Sequence, residues 1–192
     1  MIIQNGKLLY HLTHIDNLDS IFTNGLLSRN NVQQLDGFVD VANHEILHSR
    51  HQHELDNYVL FHFHPYSAFD TAVKGKYGAS NFVYITIQRE LARQRQYKII
   101  PRHPLNGPFQ LYEYDAGFPL IDWNTMETKM ANFSSSEQAD HAKQVKMAEC
   151  ISLDSVLVSD FFKIYCNPIK KNKLQETYSR YSDLFIEGAW LN

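Results

Sequence analysis

The sequence has few cysteines and no long apolar run. Its two cysteines, Cys150 and Cys166, are too few for the disulfide framework of a small secreted protein, so both are expected to be reduced. The longest apolar runs, such as residues 82–87, are far shorter than the roughly 20 residues that cross a bilayer. The N-terminus also lacks the basic and apolar regions of a secretory signal. These absences predict a cytoplasmic protein with no membrane partner.

A large net charge is missing too. The chain carries 18 Lys and Arg against 21 Asp and Glu, a formal net charge of -3. Such a balance argues against tight binding along a nucleic-acid duplex, which depends on Lys and Arg. The charges are nevertheless segregated, because residues 74–102 hold seven basic side chains and one acidic side chain. This basic block predicts either a solvated face or a local phosphate-binding surface.

Glycine and proline do not mark a boundary within the chain. There are eight Gly and six Pro, with no glycine-rich phosphate loop, no linker-like stretch and no internal repeat. Hydrophobic residues make up 44% of the chain, including 12 Phe and 11 Tyr, which is enough for a core. We therefore expect one domain over residues 1–192.

Hydrophobic patterning predicts a mixed order of short strands and helices. Strands are expected at 8–13, 58–64, 82–87, 145–153 and 156–164, and helices at 89–96, 122–130, 137–143 and 174–184. A further helix, capped by Asp16, should end at Gly25, and 42–53 is a weaker helix candidate. Loops are expected at 30–40 and 101–119. The order lacks a regular βαβ rhythm, so the fold class is α+β.

One motif is typical of zinc hydrolases. His44-Glu45-Ile46-Leu47-His48 fits the H-E-x-x-H pattern, in which two imidazoles on one helix face hold zinc and the Glu activates water. The extended form of that motif is not followed, since position 54 holds Glu54 rather than a third histidine. A zinc hydrolase is kept as an alternative, although two solvent-facing histidines explain the motif better and no metal is expected.

The opening of the chain carries a more specific pattern. Tyr10-His11-Leu12-Thr13-His14-Ile15-Asp16-Asn17-Leu18 resembles the start of the DarT family of DNA ADP-ribosyltransferase toxins. The resemblance continues in order through Arg50, through residues 56–67, through Arg102-His103 and through Lys146-Met147-Ala148-Glu149. It covers the chain from about residue 8 to about residue 164.

This resemblance implies an ADP-ribosyltransferase-like split β-sandwich with flanking helices, and NAD as the substrate that is cleaved. Glu149 and Arg50 are then the expected catalytic residues, with Arg50 also contacting the NAD diphosphate. The other residues implied in NAD binding are His11, Leu12, Thr13, Ser20 and Ser28. A carboxylate at Glu149 suits the reaction because its transition state places positive charge on the ribose.

The acceptor implied by the resemblance is a base in single-stranded DNA, since a paired base must be exposed before chemistry. The residues expected to contact DNA are Tyr66, Phe69, Arg102, His103 and Lys146. Tyr66 stands where the family has arginine, and Lys146-Met147 where it has Arg-Gln, so thymidine and guanosine both remain open as targets. The implied partner is an antitoxin with ADP-ribosyl-hydrolase (macrodomain) activity. A catalytically silent nucleic-acid-binding module of the same fold is a further alternative.

Overall fold

The computed structural model describes residues 2–35, 37–41, 50–103 and 110–191. Within these ranges the strands, in chain order, are β1 (Leu8–His14), β2 (Val59–His62), β3 (Phe82–Gln88), β4 (Lys98–Ile100), β5 (Tyr112–Glu113), β6 (Glu149–Ser152), β7 (Lys163–Cys166) and β8 (Phe185–Glu187). The helices are α1 (Leu18–Asn24), α2 (Arg29–Val32), α3 (Ala68–Tyr77), α4 (Arg89–Gln94), α5 (Tyr114–Gly117), α6 (Trp123–Glu127), α7 (Ser136–Lys146) and α8 (Pro168–Thr177). Short 3₁₀ helices occupy Ile15–Asn17, Leu55–Asn57, Ala79–Asn81, Phe118–Leu120, Met130–Asn132, Val158–Asp160, Ser179–Leu184 and Ala189–Leu191.

The strands form one sheet in the order β5-β4-β6-β2-β1-β3-β7-β8. All neighbours are antiparallel except β7 and β8, which are parallel. The two halves of the sheet meet at β1 and β2, which share a single register pair, Tyr10 with His62. By contrast, β1 pairs with β3 along its full length, from Leu8↔Gln88 to His14↔Phe82. The expected α+β class is confirmed, and the weak β1–β2 junction divides the sheet.

The burial of β3, near the centre of the sheet, follows from the types of its side chains. Every residue of β3 except Gln88 is buried, because Phe82-Val83-Tyr84-Ile85-Thr86-Ile87 is an aromatic and β-branched run covered on both faces. Thr86 is the polar member of this run, and its hydroxyl donates to the carbonyl of Lys163 at 2.7 Å. A buried polar group is therefore matched within the sheet.

Helix α1 ends where the sequence predicts but is not capped as predicted. Gly25 follows the helix with φ +79°, and a Cβ there would lie 2.7 Å from the Val156 carbonyl oxygen, so glycine is required. Asp16 is not the cap. His14 Nδ1 instead accepts from the Asp16 backbone N–H at 3.3 Å and caps the preceding 3₁₀ turn.

The remaining predicted elements are confirmed in part. The strands around 8–13, 58–64 and 82–87 and the helices around 89–96, 122–130 and 137–143 exist with shifted ends. The loop prediction for 101–119 is wrong for its second part, where β5 and α5 form, and the loop at 30–40 begins inside α2. The prediction of a strand at 156–164 is mostly wrong, because a 3₁₀ turn precedes β7. The helix predicted at 174–184 ends at Thr177. Most of the candidate helix at 42–53 lies outside the described residues.

Six of the described helices and strands were not predicted from the sequence: α2, β5 and α5 lie in predicted loops, and α3, β4 and β8 lie in segments for which no element was predicted. α3 contains Gly75 in its interior, while β4 and β8 are three residues long and pair with distant strands. Across the described ranges, no helix combines the length and apolarity needed to cross a membrane.

Candidate active site

A cleft opens beside the junction of β1 and β2, where the two strands stop pairing. Its volume is about 1240 Å³ with the open mouth included. Its walls come from both half-sheets, from α1, from the segment at 38–41 and from the first turn of α3. The lining includes His11, Leu12, Thr13, Asn17, Ser20, Arg29, Val39, Asp40, Arg50, Leu60, His62, Phe69, Asp70, His103 and Glu149.

A buried ion pair joins Arg50 to Glu149 on the wall of this cleft. Nη1 of Arg50 lies 2.9 Å from Oε1 and 2.9 Å from Oε2 of Glu149. Nη2 of the same guanidinium donates to the Leu55 carbonyl at 3.2 Å. Two of the three guanidinium nitrogens thus contact protein oxygens. Arg50 therefore orients Glu149, and any contact with an NAD diphosphate would use its other donors.

The sheet holds Glu149 in place from both sides. Glu149 is the first residue of β6 and pairs with His62 of β2 and with Ile100 of β4. It is only 1% exposed. A carboxylate at the centre of a half-sheet is costly unless it is paired, so the position depends on Arg50.

The pKa of the Glu149 carboxyl reflects this competition. Burial alone would raise the pKa, but the charge of Arg50, with smaller contributions from His103 and His62 and from the Arg50 hydrogen bonds, leaves it below its ordinary value. Burial lowers the pKa of His103 to about 4, against the opposing charge of Glu149, so that its imidazole is neutral at neutral pH. Arg50 is consequently the group that keeps Glu149 ionised.

His103 lies on the other side of the carboxylate. Its Nε2 is 4.0 Å from Glu149 Oε1, and its side chain is 2% exposed. Its backbone N–H donates to the Gln144 carbonyl at 2.9 Å, which ties the residue to α7. His103 was expected to contact DNA, and the structure brings it next to the expected catalytic carboxylate.

His11 presents a defined tautomer to the cleft. Its Nδ1 lies 2.8 Å from the Leu60 carbonyl oxygen, which can only accept, so Nδ1 carries the proton. Burial lowers the pKa of His11 to about 4, so the ring is neutral and Nε2 carries an acceptor lone pair. Such an acceptor suits a hydroxyl or an amide N–H of a ligand.

Thr13 is oriented by Asn17, a residue that the sequence reasoning did not assign to the site. Asn17 Nδ2 donates to Thr13 Oγ1 at 3.2 Å and to the Val39 carbonyl at 3.1 Å. Asn17 Oδ1 in turn accepts the Val39 backbone N–H at 2.9 Å. One amide therefore ties the segment at 38–41 to β1 across the cleft. The sequence signal that could have predicted this role of Asn17 is its position just after the strand that carries His11 and Thr13.

The other expected site residues divide between the cleft and its surroundings. Leu12, Ser20 and Phe69 line the cleft. Ser28 is buried before α2 and is not part of the lining. Tyr66 is 59% exposed, stacks on His64 with centroids 6.3 Å apart and meets Trp190 edge to face. Lys146 donates to the Met126 carbonyl, and Arg102 lines a separate depression with Tyr112 and His141.

Comparison with known proteins decides the family. A family model described as "DarT: ssDNA thymidine ADP-ribosyltransferase, DarT" matches residues 10–181. The chain belongs to the DarT family. A sequence comparison with curated proteins gave no significant match.

Solved DarT structures share the fold. A Thermus sp. 2.9 DarT in complex with ADP-ribosylated ssDNA superposes with a TM-score of 0.80 at 17% identity, covering 96% of this chain and 95% of that one. The same protein in complex with NAD+ gives 0.73 at 16% identity, covering 95% and 93%. Thermosipho africanus DarTG in complex with ADP-ribose gives 0.79 at 17% identity, covering 97% of this chain. The chain spans 51% of the length of that DarTG chain.

In this DarT-family chain the basic block at 74–102 does not form one continuous groove. Arg89 is buried and donates to the carbonyls of Leu8, Gln4 and Phe63. Three further members form ion pairs, listed here with their partners: Arg93 with Asp115, Arg95 with Asp160, and Lys98 with Glu113. Lys76 and Arg102 are exposed. Most of the local positive charge therefore stabilises the fold.

The motif predicted as an alternative zinc site lies outside the described residues. His44, Glu45 and His48 fall outside the described residues. In the part of the chain that the structure does describe, no group of three or more His, Cys, Asp or Glu side chains is arranged to hold a metal ion.

Proposed function

We propose that this chain is an NAD-dependent ADP-ribosyltransferase that attaches ADP-ribose to thymidine in single-stranded DNA. The observation that carries the proposal is the buried Arg50–Glu149 pair on the wall of a cleft between the two half-sheets. Family membership names the reaction and the acceptor nucleoside. The solved relatives support both substrates, because one is a complex with NAD+ and another carries ADP-ribosylated ssDNA.

Glu149 supplies what the bond-breaking step needs. Cleavage of the bond between nicotinamide and ribose places positive charge on the sugar, as in glycoside hydrolysis. A preorganised carboxylate stabilises that charge, and it accepts a hydrogen bond from a ribose hydroxyl more strongly as the charge develops. Since Glu149 is buried and remains ionised, its charge acts without screening by bulk water.

His11 and Thr13 then bind the nicotinamide side of NAD. The bare Nε2 of His11 accepts a hydrogen bond, and the Thr13 hydroxyl, held by Asn17, offers a donor and an acceptor. The cleft lining adds apolar surface at Leu12 and Phe69. This combination of apolar walls and few oriented polar groups is typical of a small-molecule site.

The acceptor base must be unpaired to enter the cleft. Phe69 lies in the lining and Tyr66 is exposed nearby on the same segment, which supports stacking of a base beside the carboxylate. His103, within 4.0 Å of Glu149, is the candidate for orienting that base. The description of the family as an ssDNA thymidine ADP-ribosyltransferase agrees with the requirement for an unpaired base.

The same relatives support a proposal for the cellular role. The Thermosipho africanus DarTG chain is about twice as long as the part matched here, so we propose that this chain is the toxin half of a toxin–antitoxin pair. Its partner would be an antitoxin whose macrodomain removes ADP-ribose from DNA, and both would act in the cytoplasm, where NAD and replicating DNA are found.

Mass spectrometry of short single-stranded oligonucleotides tests the proposal. Incubation with NAD should add one ADP-ribose to a strand with a single thymidine, and Glu149→Gln should abolish the addition. Glu137→Gln, an exposed glutamate on α7, is the matched control and should keep full activity. The absence of any adduct on all four single-base strands would overturn the proposal, and an adduct only on guanosine would overturn the choice of base.

A further inference from the structure

The cleft that is proposed to hold NAD has few cationic side chains. Every Lys and Arg of the chain lies within the described ranges, and of these only Arg29 and Arg50 line the cleft. The same lining carries the acidic residues Asp40, Asp70 and Glu149. NAD brings a negatively charged diphosphate, a group that the planar fork of an arginine binds well. One or both of these two arginines must therefore neutralise it.

Both arginines are paired with a carboxylate, but the two pairs differ in exposure. The side chains of Arg50 and Glu149 are 7% and 2% exposed, whereas those of Arg29 and Asp40 are 18% and 37% exposed. Opening a buried pair leaves an uncompensated charge away from water and is strongly unfavourable, whereas a pair that reaches solvent contributes little. The Arg29–Asp40 pair is therefore the one that an incoming anion opens at small cost, and Arg50 stays on Glu149.

Asp40 occupies the Arg29 fork in the way that a phosphate group would. From the first residue of α2, Nη1 of Arg29 donates to Oδ1 of Asp40 at 3.2 Å, and Nη2 donates to Oδ2. Phosphate oxygens accept from both arms of a guanidinium in the same side-on manner as a carboxylate. Because Asp40 is the more exposed partner, its carboxylate can turn to water while the arginine keeps its place.

α2 lies beside the segment that holds the expected reaction centre. Asn30 Nδ2 donates to Asn57 Oδ1 at 2.7 Å, and Asn57 ends the 3₁₀ turn that begins at Leu55. The Leu55 carbonyl accepts from Arg50 Nη2 at 3.2 Å. In NAD the nicotinamide ribose is joined to the diphosphate through a single methylene group. A ribose held at Glu149 therefore places the diphosphate on a neighbouring part of the lining, where α2 begins.

We propose that Arg29 binds the diphosphate of NAD and that Asp40 occupies its guanidinium until NAD enters. Binding then exchanges one anion for another on the same fork, and the Asp40 carboxylate turns to solvent. Asn17 keeps the segment at 38–41 on the cleft during this exchange, because its hydrogen bonds go to the backbone of Val39. This inference rests on the proposed use of NAD.

Opposite effects of two substitutions test the exchange. Arg29→Gln removes the fork, so the binding of NAD and of ADP-ribose should weaken by roughly tenfold or more. Asp40→Asn removes the competing charge, so the binding of both ligands should tighten by about two- to fivefold. Arg29→Lys keeps the charge without the fork and should give an intermediate loss. Isothermal titration in the absence of DNA measures the dissociation constants.

The control ligand is nicotinamide riboside, which lacks the diphosphate. Its dissociation constant, measured by NMR titration, should be the same for wild type and Arg29→Gln. The control pair is Arg93 and Asp115, which form a similar side-on contact and are not among the described residues of the cleft lining. Arg93→Gln and Asp115→Asn should leave the affinity for NAD unchanged.

The two signs separate the exchange from a purely structural pair. If Asp40→Asn weakens NAD binding as Arg29→Gln does, the pair only supports the wall of the cleft, and the proposal is overturned. Equal weakening of NAD and nicotinamide riboside by Arg29→Gln would overturn it as well. Wild type that binds NAD no more tightly than Arg29→Gln contradicts this inference alone, whereas wild type that binds none of the three ligands contradicts the proposed function and the inference with it.

Discussion

Nη1 of Arg50 lies 2.9 Å from each carboxylate oxygen of Glu149, although 99 positions separate the two residues in the chain. Both side chains are nearly inaccessible to solvent, at 7% and 2% exposed. Each charge therefore compensates the other for the hydration that it loses on burial. The pair links the helical residues at 50–52 to the first residue of β6, so the fold and the candidate chemistry depend on one contact.

Removing Arg50 should destabilise the protein strongly. Arg50→Ala leaves the Glu149 carboxylate buried and unpaired, and breaking a buried pair in this way costs about 3–5 kcal/mol. Urea unfolding followed by circular dichroism measures the change in the free energy of unfolding. Arg50→Lys keeps the charge but loses the bond to the Leu55 carbonyl, so an intermediate loss is expected.

The matched control for Arg50 is Arg93→Ala. Arg93 pairs with Asp115 at 2.6 Å, but the two side chains are 54% and 68% exposed. Exposed pairs contribute about 0.2–1 kcal/mol, so the loss should be small. Equal losses for Arg50→Ala and Arg93→Ala would contradict the role assigned to burial.

Asn17 should affect NAD binding without contacting the reacting bond. Asn17→Ala removes both hydrogen bonds to Val39 and the bond to Thr13. Leaving such groups unsatisfied costs about 1–3 kcal/mol, part of which should appear as weaker NAD binding. Isothermal titration with NAD is the measurement, with a several-fold rise in the dissociation constant expected.

A second substitution at this position separates the two ends of the Asn17 amide. Asn17→Asp keeps the oxygen that accepts from Val39 but replaces the donor to Thr13 and to the Val39 carbonyl with a second acceptor oxygen, so its loss of NAD affinity should be at least as large as that of Asn17→Ala. Asn172→Ala, at an exposed position of α8, serves as the control and should not change NAD affinity. NAD binding by Asn17→Ala as tight as by wild type would show that the segment at 38–41 needs no such link.

The residue patterns predicted β1, β3 and the α+β class because they rest on local signals. The run at 82–87 is apolar throughout, and Gly25 marks the end of α1. The contacts that define the site are long-range. The register of His62 with Glu149 cannot be predicted from the residues of either strand alone, and neither can the pairing of β4 with β6.

The candidate site residues were predicted by the family resemblance more than by hydrophobic or charge patterns in the sequence. The resemblance predicted Arg50, His103 and Glu149, which the structure brings together. It did not predict Asn17, because the relevance of this residue depends on hydrogen bonds to Thr13 and Val39 that form only in the folded chain. The basic block shows the opposite error, since charge density in sequence does not reveal that Arg95 and Lys98 are paired across the fold.

Acid should destabilise the fold through its buried histidines. Burial lowers the pKa of His103 to about 4 and that of His64 to about 3, from an ordinary value of 6.5. As the pH falls below 6.5, the unfolded chain takes up protons at these positions and the folded chain does not, so the free energy of unfolding decreases. This loss continues until the pH reaches the folded-state pKa values.

The size of the effect can be measured by urea unfolding at pH 7, 6 and 5. Well below pH 6.5, each histidine contributes about 1.4 kcal/mol per pH unit. The lowered pKa of Glu149 acts in the same direction at lower pH. His103→Gln should reduce the slope, because it removes one of the groups whose folded-state pKa is lowered. A slope that His103→Gln does not alter would contradict the assignment.

The salt dependence of DNA binding should distinguish the exposed basic residues from the paired ones. Each phosphate neutralised on a single strand contributes about -0.7 to the slope of log K against log salt. Arg102 is exposed beside His103, so Arg102→Ala should weaken binding to a thymidine-containing strand and reduce the slope by about this amount. Arg95→Ala should leave the slope unchanged, because Arg95 pairs with Asp160 at 2.6 Å. Anisotropy titrations from low to physiological NaCl measure both slopes. If Arg95→Ala instead lowers the slope and Arg102→Ala does not, the strand follows the face of α4 rather than the cleft beside His103.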